Sequence, residues 1–182
     1  FKIAVSASAK DRTATRIYDI GLAMRRGRNG ELGFEVMVGG GLGRTPYLSH
    51  TIREFLPTRR LLSYLEAILR VYNRHGRRDN PWKARIKILV NQLGAEEFAR
   101  QVEEEWAKSD HELVDLPDIE LARIRGHFAK SFETLPARSE AFEAAKAAGT
   151  EFARWTRHNL HPHKAPGYAI VDVSLKTPGL TP

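Results

Sequence analysis

Few residues in this 182-residue chain have the type and spacing to do chemistry. The run Gly39-Gly40-Gly41-Leu42-Gly43 follows an apolar alternation, as phosphate-cradling loops do. It matches neither G-x-x-x-x-G-K-S/T nor G-x-G-x-x-G. It marks either a place where backbone approaches a flat or anionic ligand closely, or a turn from strand to helix. Glycine content alone favours the turn. A second feature is basic: Arg70, Arg74, Arg77, Arg78, Lys83, Arg85 and Lys87 stand against Asp79 alone. Lys83 and Lys87 are four apart and are expected to share a helix face. Arg77, Arg78, Lys83 and Lys87 are therefore candidates for an exposed anion- or partner-docking face, with a solvated helix end as the plainer reading.

His158, His161 and His163 could hold zinc, but no thiol or acidic ligand lies near them and their spacing fits no known pattern. They read as a polar loop, and no metal site is expected. Ser6 and Ser8 form no nucleophile elbow, and Glu103-Glu104-Glu105 reads as the solvated side of a helix. Cysteine is absent, which excludes disulfides, thiol nucleophiles and thiolate metal sites within this chain. The formal net charge of +7 suits anionic or acidic partners. Tyr72 and Trp82 are the aromatics near the basic run and fall on apolar faces, so nucleic acid is not the expected partner.

The elements that must position these residues follow from periodicity. Phe1, Ile3 and Val5 alternate as a strand, as do Ile20, Leu22 and Met24, and again Leu32, Phe34, Val36 and Val38. Residues 19–28 and 31–38 are expected to pair as a hairpin through a type I′ turn at Asn29-Gly30. Leu61, Leu65, Ile68, Leu69 and Tyr72 share a helix face, with Thr58 as N-cap and Gly76 as stop. Pro81 starts a second helix with an apolar face of Trp82, Ile86, Leu89, Val90 and Leu93, ended by Gly94. A third carries Phe98, Val102 and Trp106, and a fourth lies near 117–129. Ser139 caps a fifth running through Phe142, Ala145, Phe152 and Trp155. A last strand alternates from Tyr168 to Leu175. The class is α+β, a small mostly antiparallel sheet with a β-hairpin packed with several helices. Lys2, Lys10, Asp11, Arg12 and Arg16 interrupt any apolar run at the start, and no stretch is apolar enough to span a bilayer. A cytoplasmic protein with no membrane contact is expected.

Several strings, in order, add a resemblance. They are Phe1-Lys2-Ile3-Ala4, Tyr18-Asp19-Ile20-Gly21-Leu22, the stretch Gly33 to Gly43, Phe55-Leu56-Pro57, the stretch Ala67 to Asn73, and the stretch Arg77 to Lys87. Together they resemble the central region of the siroheme and [4Fe-4S] sulfite/nitrite reductases, most clearly over the first hundred residues or so. Tyr168 to Pro182 resembles the strand and linker leading into that family's second half. The resemblance implies an internal piece of a longer enzyme, with residues 1–176 in its central, siroheme-side domain and 177–182 beginning a linker.

The resemblance also implies a function. The parent would be an assimilatory sulfite reductase, reducing sulfite to sulfide by six electrons at a siroheme coupled to a [4Fe-4S] cluster. The alternatives are a nitrite reductase forming ammonia and a non-catalytic docking module for anions or acidic proteins. Lys2 would be the second of two active-site lysines, and Lys at this position leans toward sulfite. Lys2, Gly39, Gly40, Gly41 and Gly43 would lie against the cofactor. The electron donor would be acidic, a ferredoxin or a flavoprotein. The cluster's cysteines would come from elsewhere in the parent, so this chain alone is expected to bind neither cofactor and to be inactive. Arg16-Ile17-Tyr18 stand where many relatives carry His or Asn, which leaves cofactor seating and the choice between sulfite and nitrite open.

Overall fold

Alternation becomes a mixed sheet in the computed structural model, which describes residues 1–129 and 131–173. Chain contacts divide into two compact units, Phe1–Arg123 and Ile124–Pro182, within the stretch read from sequence as one domain. The stretch 177–182 lies outside the described residues.

In the first unit, strands β1 (Ile3–Ser6), β2 (Ile20–Arg26), β3 (Leu32–Val38) and β4 (His50–Pro57) lie in that order across one sheet. β2 and β3 pair antiparallel from Ile20↔Val38 to Arg26↔Leu32, which is the expected hairpin. Its turn differs from the expected type I′. The Gly30 N–H donates to Gly27 O at 2.9 Å, so Arg28 and Asn29 are the central residues, and Gly30 has a φ of 77° while Asn29 is not at positive φ. This is a four-residue turn with glycine in the left-handed position that follows it, the geometry of a longer hairpin loop. β1 pairs with β2 in parallel, Ile3↔Ile20 to Ser6↔Ala23. β4, which periodicity does not reveal, pairs antiparallel with β3 through two register shifts. The α+β class holds, with three strands antiparallel and one parallel.

Helices α1 (Leu61–His75), α2 (Ile86–Leu93) and α3 (Ala95–Ala107) cover one sheet face. Ile20, Leu22, Phe34, Val36, Val38 and Leu56 pack there against Tyr64, Ile68 and Val71 of α1, Leu89 and Val90 of α2, and Phe98 and Val102 of α3. Burying such aliphatic and aromatic side chains at about 1.5–3 kcal/mol each is what holds the unit together. α1 is entered through a 3-10 turn at Thr58–Arg60 without a side-chain cap, and ends at Gly76 as its sequence indicates. The second helix is shorter than expected. Pro81–Lys83 is a separate 3-10 turn capped by the Asn80 side chain, and Arg85 is extended before α2 begins. Trp82 consequently misses the core and is 91% exposed.

A short α4 (His111–Val114) and α5 (Asp118–Phe128) follow. In the second unit the expected fifth helix is two helices, α6 (Glu140–Ala148) and α7 (Thr150–Asn159), broken at Gly149, with Ser139 Oγ accepting from the Phe142 N–H at 3.3 Å. β5 (Leu160–Pro162) and β6 (Ala169–Val171) form a two-stranded antiparallel ribbon. The last strand's Ser174 and Leu175 lie outside the described residues. Among the described residues no helix is long and apolar enough to cross a membrane.

Candidate functional site

The pairing of β1 with β2 brings the start of the chain close to the start of the glycine run. Lys2 is exposed and immediately precedes β1. Its backbone is held on both sides: the N–H donates to Asp19 Oδ2 at 3.0 Å, and the C=O accepts the Ile20 N–H at 3.1 Å. Asp19 is 1% exposed. Its other carboxylate oxygen accepts from Arg85 Nε at 3.2 Å and Nη2 at 2.8 Å, and its carbonyl accepts the Gly39 N–H at 3.0 Å. Buried carboxylates persist when paired and hydrogen-bonded, and every partner of Asp19 is a donor. One acid thus joins Lys2, the glycine run and the basic run.

The glycine run meets the chain's own atoms. Gly39 has a φ of 87°, and a Cβ there would reach Val90 Cγ1 at 2.9 Å. A Cβ on Gly40 would lie 2.4 Å from Arg16 O and 2.5 Å from Tyr18 O, and one on Gly41 would lie 2.9 Å from Arg85 Nη2 and from Lys87 Cδ. These three glycines are buried, whereas Gly43 is exposed with nothing within 4 Å of an added Cβ. The close approach that glycine permits is therefore made, at Gly39 to Gly41, by neighbouring segments of this chain.

Lys87 is not on a docking face, which corrects the sequence expectation. It is 7% exposed, and its Nζ donates to Thr45 O at 2.7 Å and Leu42 O at 3.3 Å, fastening the loop after the glycine run. Burial pushes its ammonium below the ordinary lysine value, with the Arg85 charge adding to that and Asp19 opposing it. Lys83 and Lys87 do not share a helix, because the extended Arg85 separates the 3-10 turn from α2. Arg77 is half-exposed in a surface ion pair, with Asp79 accepting from its Nε at 2.9 Å and from its Nη2, which offsets its charge locally. Arg78 and Lys83 remain exposed. Arg78 lies 4.9 Å over the Tyr72 ring and donates to Asn73 Oδ1 at 2.8 Å.

The sheet face opposite the helices holds groups that sequence reasoning missed. Lys2 continues the side of β1 that carries Ala4 and Ser6. Ser6 lines a polar pocket of about 350 Å³ whose other walls include Asp11, Thr15, Arg16, Arg25 and Glu35. Glu35 Oε2 accepts from Arg25 Nη2 at 2.5 Å and its Oε1 from Thr51 Oγ1 at 2.7 Å. Burial pushes the Glu35 carboxyl up, but the Thr51 hydroxyl and Arg25 outweigh it and hold it below the usual value. The alternation of β3 shows which residues share this face but not which loops cover it.

In the second unit, His161 Nε2 lies 3.0 Å from Asp172 Oδ2, and His163 Nδ1 accepts the Ala165 N–H at 3.0 Å. Among the described residues no three His, Asp or Glu side chains gather closely enough to hold a metal ion.

Comparison with known proteins gives the following. The family described as the nitrite and sulphite reductase 4Fe-4S domain matches residues 1–110. The chain is 33% identical over 124 residues to a protein of Synechococcus elongatus named sulfite reductase (ferredoxin), covering 64% of this chain and 20% of that protein. It is 37% identical over 83 residues to sulfite reductase (NADPH) subunit beta of Saccharomyces cerevisiae, covering 42% of this chain and 6% of the relative. Among solved structures, that of the Mycobacterium tuberculosis NirA protein aligns with a TM-score of 0.49 at 28% identity, covering 57% of this chain and 19% of that one. The chain thus spans about a fifth or less of the length of these relatives.

Proposed function

The chain belongs to the nitrite and sulphite reductase 4Fe-4S domain family, and on that footing we propose that it is part of an assimilatory sulfite reductase, supplying Lys2 to the active site and one wall of the siroheme pocket. The observation that carries this reading is the family match over residues 1–110, which includes Lys2, the glycine run and Arg85. Relatives named for sulfite rather than nitrite favour sulfite as the substrate. Sulfite would take six electrons and seven protons to give hydrosulfide and three waters.

The residues present fit an anionic tetrapyrrole. Lys2 is exposed, Arg85 keeps 36% of its side chain exposed beside Gly41, and Gly43 has open space at its Cα. Siroheme, when bound, supplies the iron that carries the substrate and delivers electrons to it. Lys2 would place a cation at the sulfite oxygens, offset their charge and donate protons as S–O bonds break. Arg85 would hold its guanidinium toward cofactor carboxylates while anchored on Asp19. Of the glycine run, Gly43 is the position with room for a ligand, and Gly39 to Gly41 would act by keeping the loop against the chain. The same residues do not fit an iron–sulfur cluster, whose irons are held by thiolates, since none of the 182 residues is cysteine. Those ligands belong elsewhere in the parent. An acidic electron donor would meet, of the four basic residues singled out, Arg78 and Lys83.

Lys2→Ala in the full-length parent tests the reading. Sulfite turnover is expected to fall roughly hundredfold, the usual effect of deleting one preorganised charge-stabilising group, with siroheme content retained. Unchanged turnover would remove Lys2 from the active site.

A further inference from the structure

We propose that Asp19 is a positioning residue for Lys2, fixing the root of that side chain through a carboxylate shared with Arg85; the proposal rests on the reading of Lys2 given above. A lysine stem has four rotatable carbons, so an exposed ammonium is only as well placed as the backbone it grows from. At Lys2 both flanking peptide groups are held: the N–H by Asp19 Oδ2, and the C=O by the Ile20 N–H. The second bond belongs to the β1–β2 ladder. The first does not, because β1 begins at Ile3 and its four ladder pairs run from Ile3 to Ser6. Asp19 therefore acts one residue beyond the sheet, on an N–H that the β1–β2 ladder does not reach.

The carboxylate is itself rigid. It is buried, its Oδ1 takes two donors from Arg85, and its own backbone is tied to Gly39. A bond to an ionised acceptor is stronger and shorter than a neutral one, and Oδ2 has Lys2 as its partner. An amide in place of the acid has one oxygen. It can accept from Arg85 or from the Lys2 N–H, and its NH₂ must then face the other donor. Asparagine is thus nearly isosteric with Asp19 yet unable to do both tasks, and the four β1–β2 ladder pairs do not depend on it.

The test is a double-mutant cycle in the siroheme-loaded full-length parent: wild type, Asp19→Asn, Lys2→Ala and the double variant. Asp19→Asn is expected to lower kcat for sulfite by roughly ten- to hundredfold, the scale of a misplacement near 1 Å. Siroheme content should stay at wild-type level by visible absorbance, because the one amide oxygen keeps the two Arg85 donors and it is the Lys2 N–H that loses its acceptor. In the Lys2→Ala background the same substitution should cost nothing further, since groups acting through one another are non-additive. Hydrogen exchange should quicken in the peptide containing Lys2 and stay unchanged across Ile20–Arg26. A full additional loss in the double variant, or a loss of turnover matched by loss of siroheme, overturns the proposal: Asp19 would then serve the cofactor or the fold rather than Lys2. If Lys2→Ala alone leaves turnover intact, the reading of Lys2 fails and the proposal falls with it. Should Asp19→Asn not accumulate, Asp19→Glu keeps the charge but shifts the carboxylate by one methylene. It should reproduce the loss, and wild-type kcat in that variant overturns the proposal equally.

Discussion

Replacing Gly40 by alanine should destabilise the first unit more than its chemistry suggests. The position is not at positive φ, so the backbone conformation itself would accept a side chain. The cost is steric. The new Cβ would sit 2.4 Å from Arg16 O and 2.5 Å from Tyr18 O, whereas carbon and oxygen settle at roughly 3.3–3.6 Å. Each oxygen would have to retreat by close to 1 Å. Arg16 cannot do so freely, because its carbonyl accepts the Ser49 N–H at 2.8 Å and its Nη2 donates to Ser49 O at 3.4 Å. Overpacking against fixed backbone costs about 1–3 kcal/mol, and weakening one buried backbone bond adds about 1 kcal/mol. At about 3–5 °C per kcal/mol for a unit of this size, the melting temperature of the 182-residue chain should fall by roughly 6–20 °C. Gly126→Ala is the control of opposite sign. Gly126 is inside α5 with nothing within 4 Å of an added Cβ, so alanine should stabilise by about 0.5–1 kcal/mol. A Gly40→Ala melting temperature within about 2 °C of the unsubstituted chain would refute the claim that this backbone is packed without slack.

Two further expectations follow from the charges. Glu35, held below its ordinary carboxyl value by Thr51 and Arg25 against the upward push of burial, contributes stability that is present above the usual glutamate range and is lost as pH falls through the lowered value. Glu35→Gln should therefore flatten the acid limb of a stability–pH profile while costing under about 1 kcal/mol at neutral pH; an unchanged acid limb would contradict this. Arg78→Glu with Lys83→Glu in the parent should slow electron transfer from an acidic donor at low ionic strength, with the difference shrinking as salt is added. Equal rates at low salt would leave the donor docking elsewhere.

Much of the first unit can be read from its residues, because each element follows its own period. The α1 stripe from Leu61 to Tyr72, the stop at Gly76 and the third helix through Phe98 and Val102 appear where their spacing puts them. What is not legible depends on partners distant in sequence. His50 to Pro57 shows no clean alternation because β4 meets β3 through two register shifts. Nothing in Ile3 to Ser6 announces a parallel neighbour. Trp82 and Lys87 exchange expected roles for one local reason: the 3-10 turn at Pro81 ends at Lys83, so the helical phase restarts at Ile86 and carries Lys87 inward. Lys2 is singled out by resemblance rather than spacing, and the glycine run, visible from its spacing as either a turn or a ligand loop, is tied to a cofactor by resemblance alone. Asp19 was visible only as part of a motif string, since a lone acid before a strand gives no hint that three segments converge on it.

The parallel pairing of β1 has a consequence for the order in which the chain folds. The β2–β3 hairpin closes over a short turn, Gly27 to Glu31, and such ribbons form within about 1–10 μs. β1 must instead return to β2 across the segment between Ser6 and Ile20, and contacts of longer loop closure arrive later. The strand next to Lys2 is therefore expected to join a sheet already formed. It also sits at one edge of the sheet with a single neighbour, as β4 does at the other, so its departure leaves the pairing of β2, β3 and β4 intact. Kinetically, the candidate catalytic lysine is carried by a strand that joins after the β2–β3 hairpin and can leave without breaking it.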